Sequence, residues 1–157
     1  MIEGARVTGS TGSIQSLELP LEVEDGWPPV ALECLPFRVV PEGHLALVPP
    51  LFVKDLSVGD VIHVTREAGD GRVLSWRHVA RSGSSTVWLL RMRRSETIDA
   101  VLTELRDVRC NTVRLDDVGA YAIEVPPEVP IAVVDAILAH LDSDAVAVAF
   151  PSMRHDE

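Results

Sequence analysis

The strongest constraint in this sequence is a short run with two apolar faces. Residues 86–92 place Thr86, Trp88, Leu90 and Met92 on one side of a strand, and Val87 and Leu89 on the other. Successive strand side chains point to opposite faces, so such a strand needs cover on both. The chain must therefore build two layers around it. With 157 residues, 46% of them hydrophobic, it has the material to do so in one domain or two small halves.

The residues that follow predict one layer. Ile98, Val101, Leu102, Leu105 and Val108 recur at helical spacing. Ser95 stands as N-cap, Glu96 and Asp99 fall in the first turn, and Arg106 and Arg109 in the last. Residues 112–115 and 120–125 read as strands joined at 116–119. Pro130 opens a second helix with the stripe Ile131, Val134, Ile137, Leu138 and Leu141. Residues 145–150 alternate Val146, Val148 and Phe150 with alanines, which is a strand. The order from Thr86 is β-α-β-β-α-β, the split βαβ or ferredoxin-like unit.

The residues that precede it predict the second layer. Residues 17–23 alternate Leu17, Leu19, Leu21 and Val23 with polar or Pro positions, the period of a half-buried strand. Asp25-Gly26 followed by prolines must turn. Residues 30–40 form a second strand, with Pro36 suiting an edge or a bulge. Further strands fall at 44–48, 61–66 and 72–80, with a hairpin loop at 67–71. The expected fold class is α+β. An N-terminal antiparallel β-sheet or small barrel-like half precedes a ferredoxin-like half, and the two share a core. The divisions are 1–16, a flexible leader; 17–85, an N-terminal all-β half; 86–150, the ferredoxin-like half; and 151–157, a C-terminal tail.

Charge and composition narrow the function classes. The net charge of −10 disfavours nucleic acid as a partner. Seven of the fourteen Lys and Arg residues fall between Arg66 and Arg94, opposed there only by Glu67 and Asp70. That segment therefore carries +5 against −15 elsewhere, and its arginines are expected to pair with the acidic excess, such as Glu18, Glu22, Glu24 and Asp25, in preference to forming an anion site. No apolar run is long enough for a membrane span, and residues 1–15 lack a signal-like apolar stretch. The two cysteines, Cys34 and Cys110, read as reduced thiols in the interior of a cytoplasmic protein.

The order and spacing of several short runs resemble the bacterial family called domain of unknown function 4265. They are Asp25-Gly26-Trp27-Pro28-Pro29, Glu33, Pro50, Phe52 and Leu56-Ser57-Val58-Gly59-Asp60. Arg81-Ser82-Gly83, Ser85-Thr86, Cys110 and the run Tyr121-Ala122-Ile123-Glu124-Val125-Pro126-Pro127 complete the set. The resemblance spans roughly residues 19 to 148. It implies the fold above and no assigned activity. Two positions depart from it: Arg109 stands where a Gly would precede Cys110, and the usual C-terminal Trp is missing near residues 147–150.

The chemistry concentrates in residues 71–94. Ser82, Ser84 and Ser85 surround Gly83 in a turn, with Arg77 and Arg81 near in sequence, a set able to form an anion nest. His78 would be a general base with Asp60 or Asp70 as its orienter, although a lone His on an apolar strand face is more often a hydrogen-bonded core residue. Arg93 and Arg94 precede a helix N-terminus, which favours a phosphate or carboxylate. His44, His63 and His78 lack metal-ligand spacing, and no cofactor loop or Gly-x-Ser-x-Gly elbow is present. Metal, cofactor and catalytic assignments are therefore none. The candidate ligand-binding residues are Arg77, His78, Arg81, Ser82, Ser84, Arg93 and Arg94. Two functions follow. The first is a non-catalytic module that binds a protein partner. The alternative is a small enzyme or anionic-ligand binder with its site in the cleft between the halves. Oligomeric state is not readable from the residues.

Overall fold

The computed structural model describes residues 12–69 and 72–155. Most of the leader at 1–16, together with Asp70 and Gly71, lies outside the described residues. Eleven strands and helices follow in order. The first five are β1 (Ile14–Pro20), β2 (Leu32–Val40), β3 (Gly43–Ala46), β4 (Val61–Arg66) and β5 (Val73–Ala80). The rest are β6 (Ser85–Arg91), α1 (Ile98–Asp107), β7 (Asn111–Leu115), β8 (Ala120–Val125), α2 (Ile131–Leu138) and β9 (Val146–Ser152). The chain is α+β, with two antiparallel sheets and two helices. It divides into two compact units. One runs through Leu47 and adds Val58–Ser82; the other combines Val48–Ser57 with the chain from Gly83 onward. The sequence-based cut at residue 85 thus falls within a strand, and the chain crosses between the units three times.

The first unit is one sheet in the order β1-β2-β3-β4-β5, with β1 and β5 also running close together. Leu17, Leu19, Leu35, Phe37 and Ile62 are buried at alternate positions, as the period of two requires. β1 begins at Ile14, inside the expected leader, because its backbone pairs with β2 as far as Arg38. Cys34 falls on the outward parity of β2 and is exposed, which corrects its expected interior position. Pro36 lies inside a strand paired on both sides, not at an edge. Its carbonyl accepts from the Leu47 N–H at 3.4 Å, but Pro has no N–H to return. The β2–β3 ladder stops at Ala46 opposite Phe37, and the chain leaves the sheet there.

The second unit is a sheet in the order β9-β6-β8-β7, all pairs antiparallel. Its core joins Val87 and Leu89 of β6, Tyr121, Ile123 and Val125 of β8, and the stripes of α1 and α2. The opposite face of β6 is covered by Val48–Ser57, an irregular segment of this same unit. The Trp88 indole N–H donates to the Pro50 carbonyl at 2.8 Å, and Thr86 Oγ1 donates to Leu56 at 3.3 Å. Strands were expected to provide that cover; within this unit a loop does.

Both ends of α1 are informative. α1 is capped at Thr97, not Ser95, although Ser95 Oγ still accepts from the Thr97 N–H at 3.3 Å. At its other end the Cys110 N–H bonds the Leu105 carbonyl and the Arg109 N–H bonds the Arg106 carbonyl, both at 3.0 Å. That is a Schellman motif, with Cys110 packed into the core beside Leu105. The motif needs a left-handed residue, and Arg109 supplies it at φ 79°. This is the position where the resemblance called for Gly. A side chain there costs about 1 kcal/mol. Arg109→Gly is therefore expected to raise stability by about 0.5–1 kcal/mol, read as a higher urea midpoint at unchanged slope.

Candidate functional site

Chemistry-bearing side chains form one cluster in the first unit and three in the second, besides an exposed network of Arg114, Asp99 and Asp116 that reaches Tyr121 and Arg91. The first is built on the turn before β4. Gly59 has φ 89°, and a Cβ there would lie 3.0 Å from Ser82 Cβ, so any side chain would be strained. Reciprocal contacts at 2.8 Å, from Gly59 to Ala46 and from Ala46 to Asp60, anchor the turn to β3. Asp60 is thereby turned inward with no exposed surface. Its Oδ2 is 2.9 Å from His78 Nε2, and its Oδ1 accepts the Ser82 N–H at 2.7 Å. Ser82 Oγ donates to the Val58 carbonyl at 2.5 Å.

Asp60 was one of two expected orienters for His78, and the structure pairs the two. With Asp60 as acceptor, Nε2 carries a hydrogen, and the ring packs edge-on to Trp76 at 5.2 Å. Ser82 spends its hydroxyl hydrogen on Val58, so it does not offer that hydrogen to the imidazole. The cluster therefore joins a carboxylate, an imidazole and a backbone N–H without a nucleophile bonded to a base. Its chemical work is to hold the 81–82 turn. Elsewhere in this unit His44 Nε2 meets Gln15 Oε1 at 2.8 Å. Burial, then Arg66 and His63, lowers the His44 pKa.

In the second unit, Ser57 Oγ lies 2.8 Å from Thr86 Oγ1 and donates to Ser152 Oγ at 2.9 Å, tying the covering segment to β6 and β9. Glu124, nearly buried, accepts from Ser84 Oγ at 3.0 Å and from the Asn111 amide. Burial, then Glu124, pushes the Cys110 thiol up to about 11, which leaves it a weak nucleophile. Ser85 Oγ accepts the Arg154 N–H at 2.7 Å and the His155 N–H at 3.2 Å, and meets His155 Nδ1 at 2.7 Å. His155 Nε2 donates to the Pro126 carbonyl at 2.9 Å, so a neutral ring presents an acceptor at Nδ1 to the Ser85 hydroxyl. This serine–imidazole pair is oriented like an activated nucleophile. Ser85, however, has no exposed surface, and its oxygen already receives two backbone hydrogens. It clasps the chain end.

A cavity of about 510 Å³ opens beside that clasp, lined by Gly83, Pro127, Pro130, Ile131, Arg154 and His155. Arg154 also reaches Asp55 at 3.6 Å. The described part of the expected tail, 151–155, is thus partly strand and partly cavity wall.

The expected ligand residues divide between the units. Arg77, His78, Arg81 and Ser82 belong to the first; Ser84, Arg93 and Arg94 belong to the second. His78 and Ser82 meet on Asp60. Arg77, Arg81, Arg93 and Arg94 are exposed, and Arg93 Nε donates to the Asp144 carbonyl at 3.0 Å. Ser84 is buried on Glu124. Ser57, Ser85, Glu124, Arg154 and His155 were not singled out as site residues. Ser57, Ser85 and Glu124 lie in runs that carried the family resemblance, the only signal for Ser57 and Glu124, while Ser85 also belonged to the serine turn; Arg154 and His155 had none. Among the described residues, no group of three or more His, Cys, Asp and Glu is placed to hold a metal, and no helix is long and apolar enough to cross a membrane.

A family model described as domain of unknown function (DUF4265) matches residues 39–149. The Asp25–Pro29 turn and Glu33 lie before that stretch. No curated protein matches the sequence. The fold is similar to the crystal structure of a hypothetical protein from Neisseria gonorrhoeae, with a TM-score of 0.67 at 15% identity. That likeness covers 88% of this chain and 96% of the other, and it is one of fold alone.

Asp60→Ala leaves the Ser82 N–H and His78 without their buried acceptor. The expected loss is on the order of 2–3 kcal/mol in chemical denaturation. Ser82→Ala, which keeps that N–H, is expected to cost about 1 kcal/mol. Equal losses in the two would show that the carboxylate does not hold the turn.

Proposed function

The chain belongs to the family described as domain of unknown function (DUF4265), and from that premise we propose that it is a non-catalytic module that binds a protein partner. On this reading the second unit is a ferredoxin-like scaffold and the first a small barrel-like one. The protein works in the cytoplasm, where Cys34 and Cys110 stay reduced.

The observation that carries the reading is the outer edge of β9, which ends its sheet among the described residues. The Met92 N–H bonds the Ala145 carbonyl at 2.7 Å. Alternation from that point, up to the irregularity after Ala149, turns the backbone groups of Ala147 and Ala149 toward β6 and those of Val146 and Val148 outward. The side chains along this edge are apolar and exposed: Val148 at 39%, Phe150 at 42% and Met153 at 44%. The strand carries no charge, and the bulge and Pro151 that blunt an edge come only at its end, after Ala149. An extended segment of a partner adding to β9 would satisfy both the backbone groups and the apolar side chains. The buried polar clusters support the same reading, since each is spent on holding chain segments.

Phe150→Asp and Val148→Lys test it. The immobilised wild-type protein is expected to retain a protein from native lysate, identified by mass spectrometry, and each variant to lose it by about tenfold. Unchanged circular dichroism and thermal midpoint would show that the fold is intact. Equal capture by wild type and both variants would remove the edge from the account.

The cavity beside α2 favours a second reading, an anionic-ligand site with Arg154 and His155 in its wall. A thermal-shift series with inorganic phosphate, nucleotides and carboxylates is then expected to show stabilisation that His155→Ala abolishes. If Arg77→Ala/Arg81→Ala abolishes it instead, the anion sits on the first unit. No shift with any of these anions rejects both placements.

A further inference from the structure

We infer that the segment from the end of β1 to the first residue of β2, residues 21–32, is a second docking surface, and that it receives a basic segment of a partner protein with an apolar side chain at its centre. It goes beyond the β9 edge: it lies in the other unit and recognises by side chains and charge, without strand addition.

The geometry is that of a rigid presenter. The Leu21 N–H bonds the Ala31 carbonyl at 2.9 Å and closes the base. Glu24 and Trp27 exchange both backbone hydrogen bonds, at 2.9 and 3.0 Å. Asp25 and Gly26 between them have φ 54° and 77°, the signature of a two-residue type I′ turn. Pro28, which follows, is buried. Trp27 is therefore held at a fixed place beside the turn, and it is 43% exposed. Val23, Val30 and Leu32 on the same short segment are exposed to 40% or more. A preorganised indole with apolar neighbours is what interface hot spots are made of.

Charge selects the occupant. From Gly12 to Phe37 the chain carries Glu18, Glu22, Glu24, Asp25 and Glu33 and not one Lys or Arg. Glu22, Glu24 and Asp25 are exposed, and no ion pair joins them to a cation among the described residues. Exposed carboxylates on the same short segment as an indole attract Lys and Arg and repel nucleic acid. The segment precedes the family-matched stretch, so the recognition belongs to a part of this chain outside it.

Fluorescein-labelled peptides test the assignment against the full-length protein by anisotropy. Three sets are used: Leu or Phe flanked by Lys and Arg, the same centre flanked by Glu, and Ser flanked by Lys and Arg. Only the first is expected to bind, with affinity falling as salt rises. Trp27→Ala and Glu22→Gln/Glu24→Gln are each expected to weaken it by about tenfold. All three positions are exposed, so the thermal midpoint stays unchanged. Phe150→Asp leaves peptide binding intact, which separates this surface from β9. The proposal is overturned if the first set does not bind, if the sets bind alike, or if the loop variants bind as wild type does. It is equally overturned if those variants instead abolish a self-association seen in sedimentation, because the occupant is then a second copy.

Discussion

The second unit depends on one constraint, the burial of β6 on both faces. Val87 and Leu89 face the two helices, while Thr86 and Trp88 face the segment Val48–Ser57. A strand with two apolar faces cannot sit at a surface, so something must cover the side the helices do not reach. The chain solves this by sending ten residues out of the first sheet and back again. Pro36 makes the departure possible, since it cannot return the hydrogen bond that would have extended β3 past Ala46. The turn at Gly59 and Asp60 makes the return. Sequence order and spatial order part company here for a reason that is local at each end.

The buried polar groups follow the same logic. Asp60, Glu124, Ser57 and Ser85 each join segments far apart in sequence, and each is hydrogen-bonded in the interior. A buried polar group is tolerated when it is paired, and a paired one specifies which segments meet. These clusters carry residue types that catalysis uses, and each of them holds chain segments together through its hydrogen bonds.

Much of the fold was legible in the residues. The stripes of α1 and α2, the turns at Asp25-Gly26 and Asp116–Gly119, and the strand at Val61–Arg66 followed from period, capping and turn chemistry. Less of the candidate site was. His78 with Asp60 was one of two pairings open to the sequence, and Asp70 was the other. Ser85 with His155 spans seventy positions, which no spacing rule reaches. Val148 and Phe150 alternate as a buried face would, yet they are exposed, because β9 lies at the end of its sheet. Periodicity says that a face exists but not what covers it.

The division follows from the range of the forces. Backbone preferences and apolar periodicity act over a few residues, so the sequence by itself determined the elements, their order and the need to cover the 86–92 strand twice. Which segment covers it, which carboxylate finds which imidazole, and which apolar strand is left at an edge depend on contacts between distant residues. The tertiary structure alone decided those, since each is a choice among several surfaces of equal hydrophobicity that only chain geometry can separate.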